Sequence, residues 1–302
     1  MKKSIWVSTA VLAAALGAAG AAQAQDTLKK IKDSGSITMG VRESSGALAY
    51  TLGDGKYAGF HYDVCQRVFA DIQKQLGLAK LEIKYQPVTS QNRIPLLQNG
   101  TVDLECGSTT NNIERQKQVG FTITHFLTAN RYVTKKSAGI KSVDDLKGKT
   151  IVSTSGTTNI KQATELNTAK NMGMNIIPAN GHPEAFQMVE TGRAVAFVMD
   201  DILLYTLVAQ ASNPSDYVIS SDALSLPEPY GIMMHKDDAA FKKVADDAMI
   251  AVYKSGEINK IYAKWFTSPV PPKGINYNVP MSAQFKNLIA NPTSSGDPTV
   301  YK

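Results

Sequence analysis

Two α/β lobes, with a ligand cleft between them and more than one chain crossing, are what this 302-residue sequence predicts. Three observations carry that expectation. Strand and helix signals alternate through two successive series, and a third section returns toward the first. Residues suited to gripping a small anion also fall at the C-terminal ends of predicted strands, where open α/β sheets gather ligands.

The first residues stand apart from the fold. Lys2-Lys3, the Ala-rich apolar run from Ile5 to Ala22 and the small-residue site Ala22-Gln23-Ala24 read as a signal peptide of residues 1–24. A membrane anchor is the alternative, and the cleavage site directly after the apolar run argues against it. Cleavage removes 24 of 302 residues and leaves 278, starting at Gln25. No later run of about 20 apolar residues follows, so the mature chain is expected to be exported and soluble.

Leu28 to Ser34 reads as a short helix ended by Gly35, and Ile37 to Val41 as a buried strand leading to Arg42. Val64, Val68, Ile72 and Leu76 recur at spacing four, a helical stripe stopped by Gly77. Leu81 to Val88 alternates as a strand opening into Thr89-Ser90. Ile94 to Asn99 is a helix closed by Gly100, and Val102 to Cys106 the next strand. Asn111 has N-cap character, with Glu114 three residues on as capping partner. Arg115 then falls in the first turn, against the helix dipole, which makes sense if it faces an anion that the helix end also attracts; a solvated surface arginine is the plainer alternative.

Phe126 to Thr134 reads as a strand opening the second series. Ser142 caps a short helix ended by Gly148. Thr150 to Thr154 is a strand, and Ser155-Gly156-Thr157-Thr158 leads into a helix from about Asn159. Pro183 suits the first turn of another helix with Gly192 past its end, and Ala194 to Met199 is a buried strand reaching Asp200-Asp201. The returning section is Gly231 to Met234, followed by helices from Asp238 to Phe266. From Pro269 a Pro-, Asn-, Ser- and Gly-rich tail wraps or frays. The crossings are expected near Phe126–Arg131 and Ser220–Pro229.

The formal charge of +6 falls to +4 without Lys2 and Lys3, and no block of five or six basic residues occurs. Nucleic acid is therefore not an expected partner, whereas a small anion fits. Cys65, in a predicted helix, and Cys106, at a strand end, form a disulfide or a pair of buried thiols, and spacing leaves both open. Two cysteines and four scattered histidines offer no metal site, and no cofactor is expected. The sequence holds no G-x-x-x-x-G-K-[ST], G-x-G-x-x-G, G-x-S-x-G or H-E-x-x-H, so an enzyme is not expected. What it holds suits a zwitterion. Arginines offer planar forks for carboxylates, Ser155 to Thr158 offers backbone donors before a helix, and Asp200 or Asp201 can hold an ammonium.

Thr89 to Arg93, Cys106 to Arg115, Ser155 to Thr158 and Arg193 to Asp201 resemble the periplasmic glutamate/aspartate-binding proteins of ABC amino-acid importers, members of the family 3 extracellular solute-binding proteins. The resemblance runs over nearly the whole mature chain, including Pro269 to Lys273. It implies a type II periplasmic-binding-protein fold with two crossover strands. Residues 25–126 plus 224–302 would form lobe 1, and 127–223 lobe 2. It puts Arg115 on an α-carboxylate with Thr110 and Thr158 assisting, and Asp200 on the ammonium, helped by Ser108. Arg42, Ser90, Arg93 and His182 would surround the side-chain carboxylate. A monomeric periplasmic receptor delivering L-glutamate or L-aspartate to a permease at the inner membrane follows. Another polar amino acid, a dicarboxylate, or a dehydratase-type enzyme on the same fold are the alternatives. Ala47 to Lys56 and Asn159 to Thr168 depart from the family pattern.

Overall fold

The computed structural model describes residues 26–302, and the expected signal peptide lies outside them. Two five-stranded sheets organise the chain. The first runs in the order Glu82–Pro87, Ser36–Val41, Leu104–Cys106, Met233–Met234, Gly120–Phe121. Its first three strands are parallel, and the returning Met233–Met234 runs antiparallel to both its neighbours. Ile37, Met39 and Val41 are buried at its centre. The helical stripe is as expected: Phe60–Gln75 buries Val64, Val68 and Ile72 and packs on the helix Ala239–Lys254. Cys65 and Cys106 are joined by a disulfide, with Cα atoms 6.4 Å apart, which ties that helix to the end of a central strand.

The second sheet repeats the plan in the order Asn175–Ala179, Thr150–Thr154, Ala196–Asp200, Asn130–Lys135, Tyr217–Ile219. Again the first three strands are parallel, and the fourth, Asn130–Lys135, runs antiparallel to both its neighbours. Between the sheets lies a two-stranded ribbon, Phe126–Thr128 against Glu228–Tyr230, with Glu228 opposite Thr128 and Tyr230 opposite Phe126. The single strand expected from Phe126 to Thr134 is therefore two strands. The chain leaves the ribbon at Ala129, whose carbonyl accepts from the Asp201 N–H, and enters the second sheet at Asn130. Phe126 is wedged among Tyr262, Phe266 and Phe285, with ring centroids 6.2, 5.4 and 5.7 Å away. Such aromatic packing fixes the start of the ribbon against the helices that carry Tyr262, Phe266 and Phe285.

One further expectation changes, and two are made definite. The helical run after Asp238 breaks at Gly256, which sits at φ 72° and separates Ala239–Lys254 from Glu257–Phe266. Asn112, not Asn111, caps the short helix Ile113–Gln116 by accepting from the Arg115 N–H. Asn111 instead donates to the Ser294 carbonyl. The tail wraps and does not fray. It carries a helix, Ala283–Ala290, and its Tyr301 is buried with the hydroxyl donating to the Ser295 carbonyl.

Candidate functional site

Strand ends of both sheets converge on one small enclosed cavity. From the first sheet come Ser90, Arg93, Ser108 and Thr110, and from the second Thr158, His182 and Asp200. Arg42 and Arg115 complete the arrangement. Arg42, one residue past the strand Ser36–Val41, donates to Ser90 Oγ at 2.9 Å. Arg115 donates to the Thr110 carbonyl at 2.9 Å. Arg93 begins the helix Arg93–Gln98 and donates to the Ser108 carbonyl at 2.9 Å. All nine residues anticipated from sequence are thus brought together.

The first wall is cationic. Arg42, Arg93 and Arg115 are 3%, 2% and 8% exposed, yet none takes part in any ion pair among the described residues. Arg42 Nη1 and Arg93 Nε have no hydrogen-bond partner at all. Burial, with the neighbouring Arg93 charge second, lowers Arg42 to about 10 and Arg115 to about 9. Both remain charged at neutral pH. Desolvated guanidiniums with free N–H groups are costly unless an anion arrives. Glu105, fully buried behind this wall, offsets part of that charge while accepting from Thr109 Oγ1 at 2.6 Å.

The second wall brings dipoles and an acid. Thr157 caps the helix Thr158–Ala169 by accepting from the Ile160 N–H, leaving the first backbone N–H groups of that helix at the cavity. His182 starts the helix His182–Glu190. Its Nδ1 lies 2.9 Å from Thr154 Oγ1 and its Nε2 3.4 Å from Arg42 Nη2. An arginine N–H only donates, so Nε2 is the acceptor and the Nδ1 proton points to Thr154. Burial and the two guanidiniums hold His182 well below the usual histidine range, in its neutral form. The lobes touch at Gly156, whose carbonyl accepts from Arg115 Nη2 at 3.2 Å. A Cβ there would lie 2.6 Å from Gln91 Cα.

Asp200, 3% exposed, accepts from Asn159 Nδ2 at 2.8 Å and from the Tyr230 hydroxyl. Burial and then the Glu228 carboxylate push it up to about 7. Glu228 and Tyr230 escape sequence reasoning, as does Asn159. They belong to a closed circuit through the ribbon. Gln162 donates to Glu228, Asn130 to Gln162, Asn159 to both Asn130 and Asp200, and Tyr230 back to Asp200.

Two lobes that meet over a small polar cavity, cations on one wall and an acid on the other, define a receptor for a small charged solute. The chain belongs to the bacterial extracellular solute-binding proteins, family 3, whose profile it matches over residues 37–268. It is 53% identical to the L-glutamate/L-aspartate-binding protein of Pseudomonas aeruginosa over 95% of both chains. It is 46% identical to the glutamate/aspartate import solute-binding protein of Escherichia coli, covering 94% of this chain and 96% of that one. A solved ABC uptake transporter substrate binding protein from Streptococcus pneumoniae with bound histidine matches at a TM-score of 0.71 and 26% identity, over 80% of this chain and 96% of that chain. The fold is the expected two-lobed type II periplasmic-binding-protein architecture.

Proposed function

We propose that this protein is a periplasmic receptor, exported by cleavage of residues 1–24, that captures L-glutamate and L-aspartate and hands them to an ABC importer permease. The observation that carries this is the set of three buried arginines without a carboxylate partner: Arg93 lines the cavity that Asp200 also lines, and Arg42 and Arg115 are bonded to its lining residues Ser90 and Thr110. Three fixed cations and one carboxylate complement a ligand with two carboxylates and one ammonium. Arg115 and the N–H groups opening the helix Thr158–Ala169 take the α-carboxylate. Arg42, Ser90 and Arg93, with His182 buttressing Arg42, take the side-chain carboxylate, and Asp200 with Ser108 takes the ammonium.

Capture is a hinge motion of residues 25–126 plus 224–302 against residues 127–223, about the two ribbon strands. The ligand bridges the lobes and shifts the equilibrium to the closed form. Glutamate and aspartate differ by one methylene, worth about 1–3 kcal/mol in a pocket, so both bind. A neutral amide side chain would leave buried guanidiniums uncompensated, which costs about 1–3 kcal/mol or more. The reading is of a monomer that binds and does not catalyse, and the names of the relatives, as binding proteins, support the absence of catalysis. Calorimetry on mature protein, unfolded and refolded to strip carried-over ligand, tests it: tight binding of both acids and weak binding of glutamine is the expected result. Binding of a neutral amino acid without any acidic one would overturn it.

A further inference from the structure

Glu228 stands on the ribbon, 4% exposed, with no lysine or arginine paired to it among the described residues. Its Oε2 accepts from Thr110 Oγ1 and from Thr158 Oγ1, both at 3.0 Å, and its Oε1 accepts from Gln162 Nε2 at 2.7 Å. A carboxylate only accepts, and a threonine hydroxyl has one proton. Both hydroxyl protons are therefore committed to Glu228. What Thr110 and Thr158 turn to the cavity they line is lone pairs. The two oxygens stand 3.4 Å apart, one from each lobe, on the same cavity as Asp200.

We propose that Glu228 is a positioning residue for ligand selectivity: by taking both hydroxyl protons it converts Thr110 and Thr158 into acceptors, which with Asp200 form a three-oxygen seat for an ammonium. This rests on the acidic amino-acid reading above. It moves the two hydroxyls from the α-carboxylate, where the family resemblance puts them, to the amino group, where they replace Ser108 as the companions of Asp200. An ammonium has three N–H donors on one point charge, matching three acceptors from three chain segments. A carboxylate placed there would face only lone pairs. The seat also couples recognition to closure, since Thr110 and Thr158 come together on Glu228 only when the lobes do.

The test is Glu228→Gln, measured by calorimetry with L-glutamate and with glutarate, which keeps both carboxylates and lacks the amine. The glutamine carbonyl can still accept from Gln162, while its amide donates toward the threonines and frees their protons to turn into the cavity. Glutamate affinity is expected to fall about 10- to 100-fold, the scale of a hydrogen bond to a charged group. Glutarate affinity is expected to hold within a few-fold or to rise. Equal loss for both ligands, or loss for neither, overturns the proposal. Should the variant not fold, Thr158→Val decides: glutamate must weaken and glutarate must not, and equal loss overturns it. Wild-type protein that binds no acidic amino acid overturns the functional reading itself and this proposal with it, and that failure is visible before any variant is made.

Discussion

The two sheets share one strand order, yet they face the cleft with opposite chemistry. In the first, the loops after three parallel strands deliver Arg42, Ser90, Arg93 and Ser108, and the disulfide anchors the strand that leads to Ser108. In the second, the equivalent strand ends deliver a helix start at Thr158, a neutral His182 and the acid Asp200. The same backbone plan therefore supplies net positive charge on one side and dipoles plus a negative charge on the other. On the function proposed above, a zwitterion with an extra carboxylate is the ligand that only the two walls together satisfy. Binding and closure are then one event, because neither wall alone pairs all the ligand's charges.

The sharpest way to break this division is to remove cations from the first wall one at a time. Truncating one partner of a buried charge pair costs about 2–5 kcal/mol. Arg115→Ala should lose that much for glutamate and glutamine alike, because both carry an α-carboxylate. Arg93→Ala should lose it for glutamate far more than for glutamine. Isothermal titration with both ligands reads the difference, and equal losses in Arg93→Ala would take that residue off the side chain.

A second contrast is covalent. The chain has only two cysteines, and both serve the first lobe. They close a loop with a sequence separation of 41, for which the chain-entropy scale gives about 3–4 kcal/mol. Replacing both by serine should lower the denaturation midpoint by a corresponding amount under oxidising conditions, and reductant should then have no further effect. Glutamate affinity should change little, because Arg42 and Arg93 are fixed by bonds to Ser90 and the Ser108 carbonyl. A large affinity loss would show that the bridge holds the anion wall in shape.

The second wall is expected to be the pH-sensitive one. Asp200 is raised by burial and by Glu228, to about 7. Its folded value lies above its unfolded one, so the ligand-free fold binds the extra proton and loses stability as pH rises from about 4 toward 7. An ammonium needs the ionised form, so glutamate affinity should rise as pH climbs through about 7 and flatten above it, with a proton released on binding. The expected change is close to 10-fold per pH unit below that point, or about 1.4 kcal/mol. Titrations in buffers of different ionisation enthalpy count the proton, and Asp200→Asn should abolish both the slope and the release.

How legible each wall was follows from how its residues are placed along the chain. Arg42 and Asp200 stand directly after strong strand patterns, and Arg93 opens the helix that follows another, so position and chemistry could be read together. Glu228 and Tyr230 lie on a three-residue strand containing Pro229, too short for any period, and their partners at Thr110, Thr158, Gln162 and Asp200 are distant in sequence. The strand Asn175–Ala179 was masked by Pro178, which suits it because it is an edge strand. The helix Ala283–Ala290 hides in a Pro- and Asn-rich tail, although its Ser282 cap and buried Phe285 and Leu288 were readable signals. The break at Ala129 has no glycine or proline to mark it, because the run from Phe126 to Thr134 contains neither. It is imposed by which partner strand each half finds.

Gly156 gives the smallest effect and the cleanest separation of the two walls from their closure. It sits at φ +74°, and an added Cβ would lie 2.6 Å from Gln91 Cα and 2.7 Å from the Ser90 carbonyl oxygen on the opposite wall. An alanine there carries two penalties that act in different states. The backbone strain, about 1–3 kcal/mol for a non-glycine residue in a sparsely populated region, is present whether the lobes are apart or together. It lowers the denaturation midpoint and leaves affinity untouched. The clash with Ser90 and Gln91 exists only when the walls meet, so it appears as weaker glutamate binding with unchanged preference over glutamine. A variant that loses stability and keeps full affinity would mean that the walls need not approach this closely to hold the ligand, and the bridging role given to the Arg115 contact with the Gly156 carbonyl would fall.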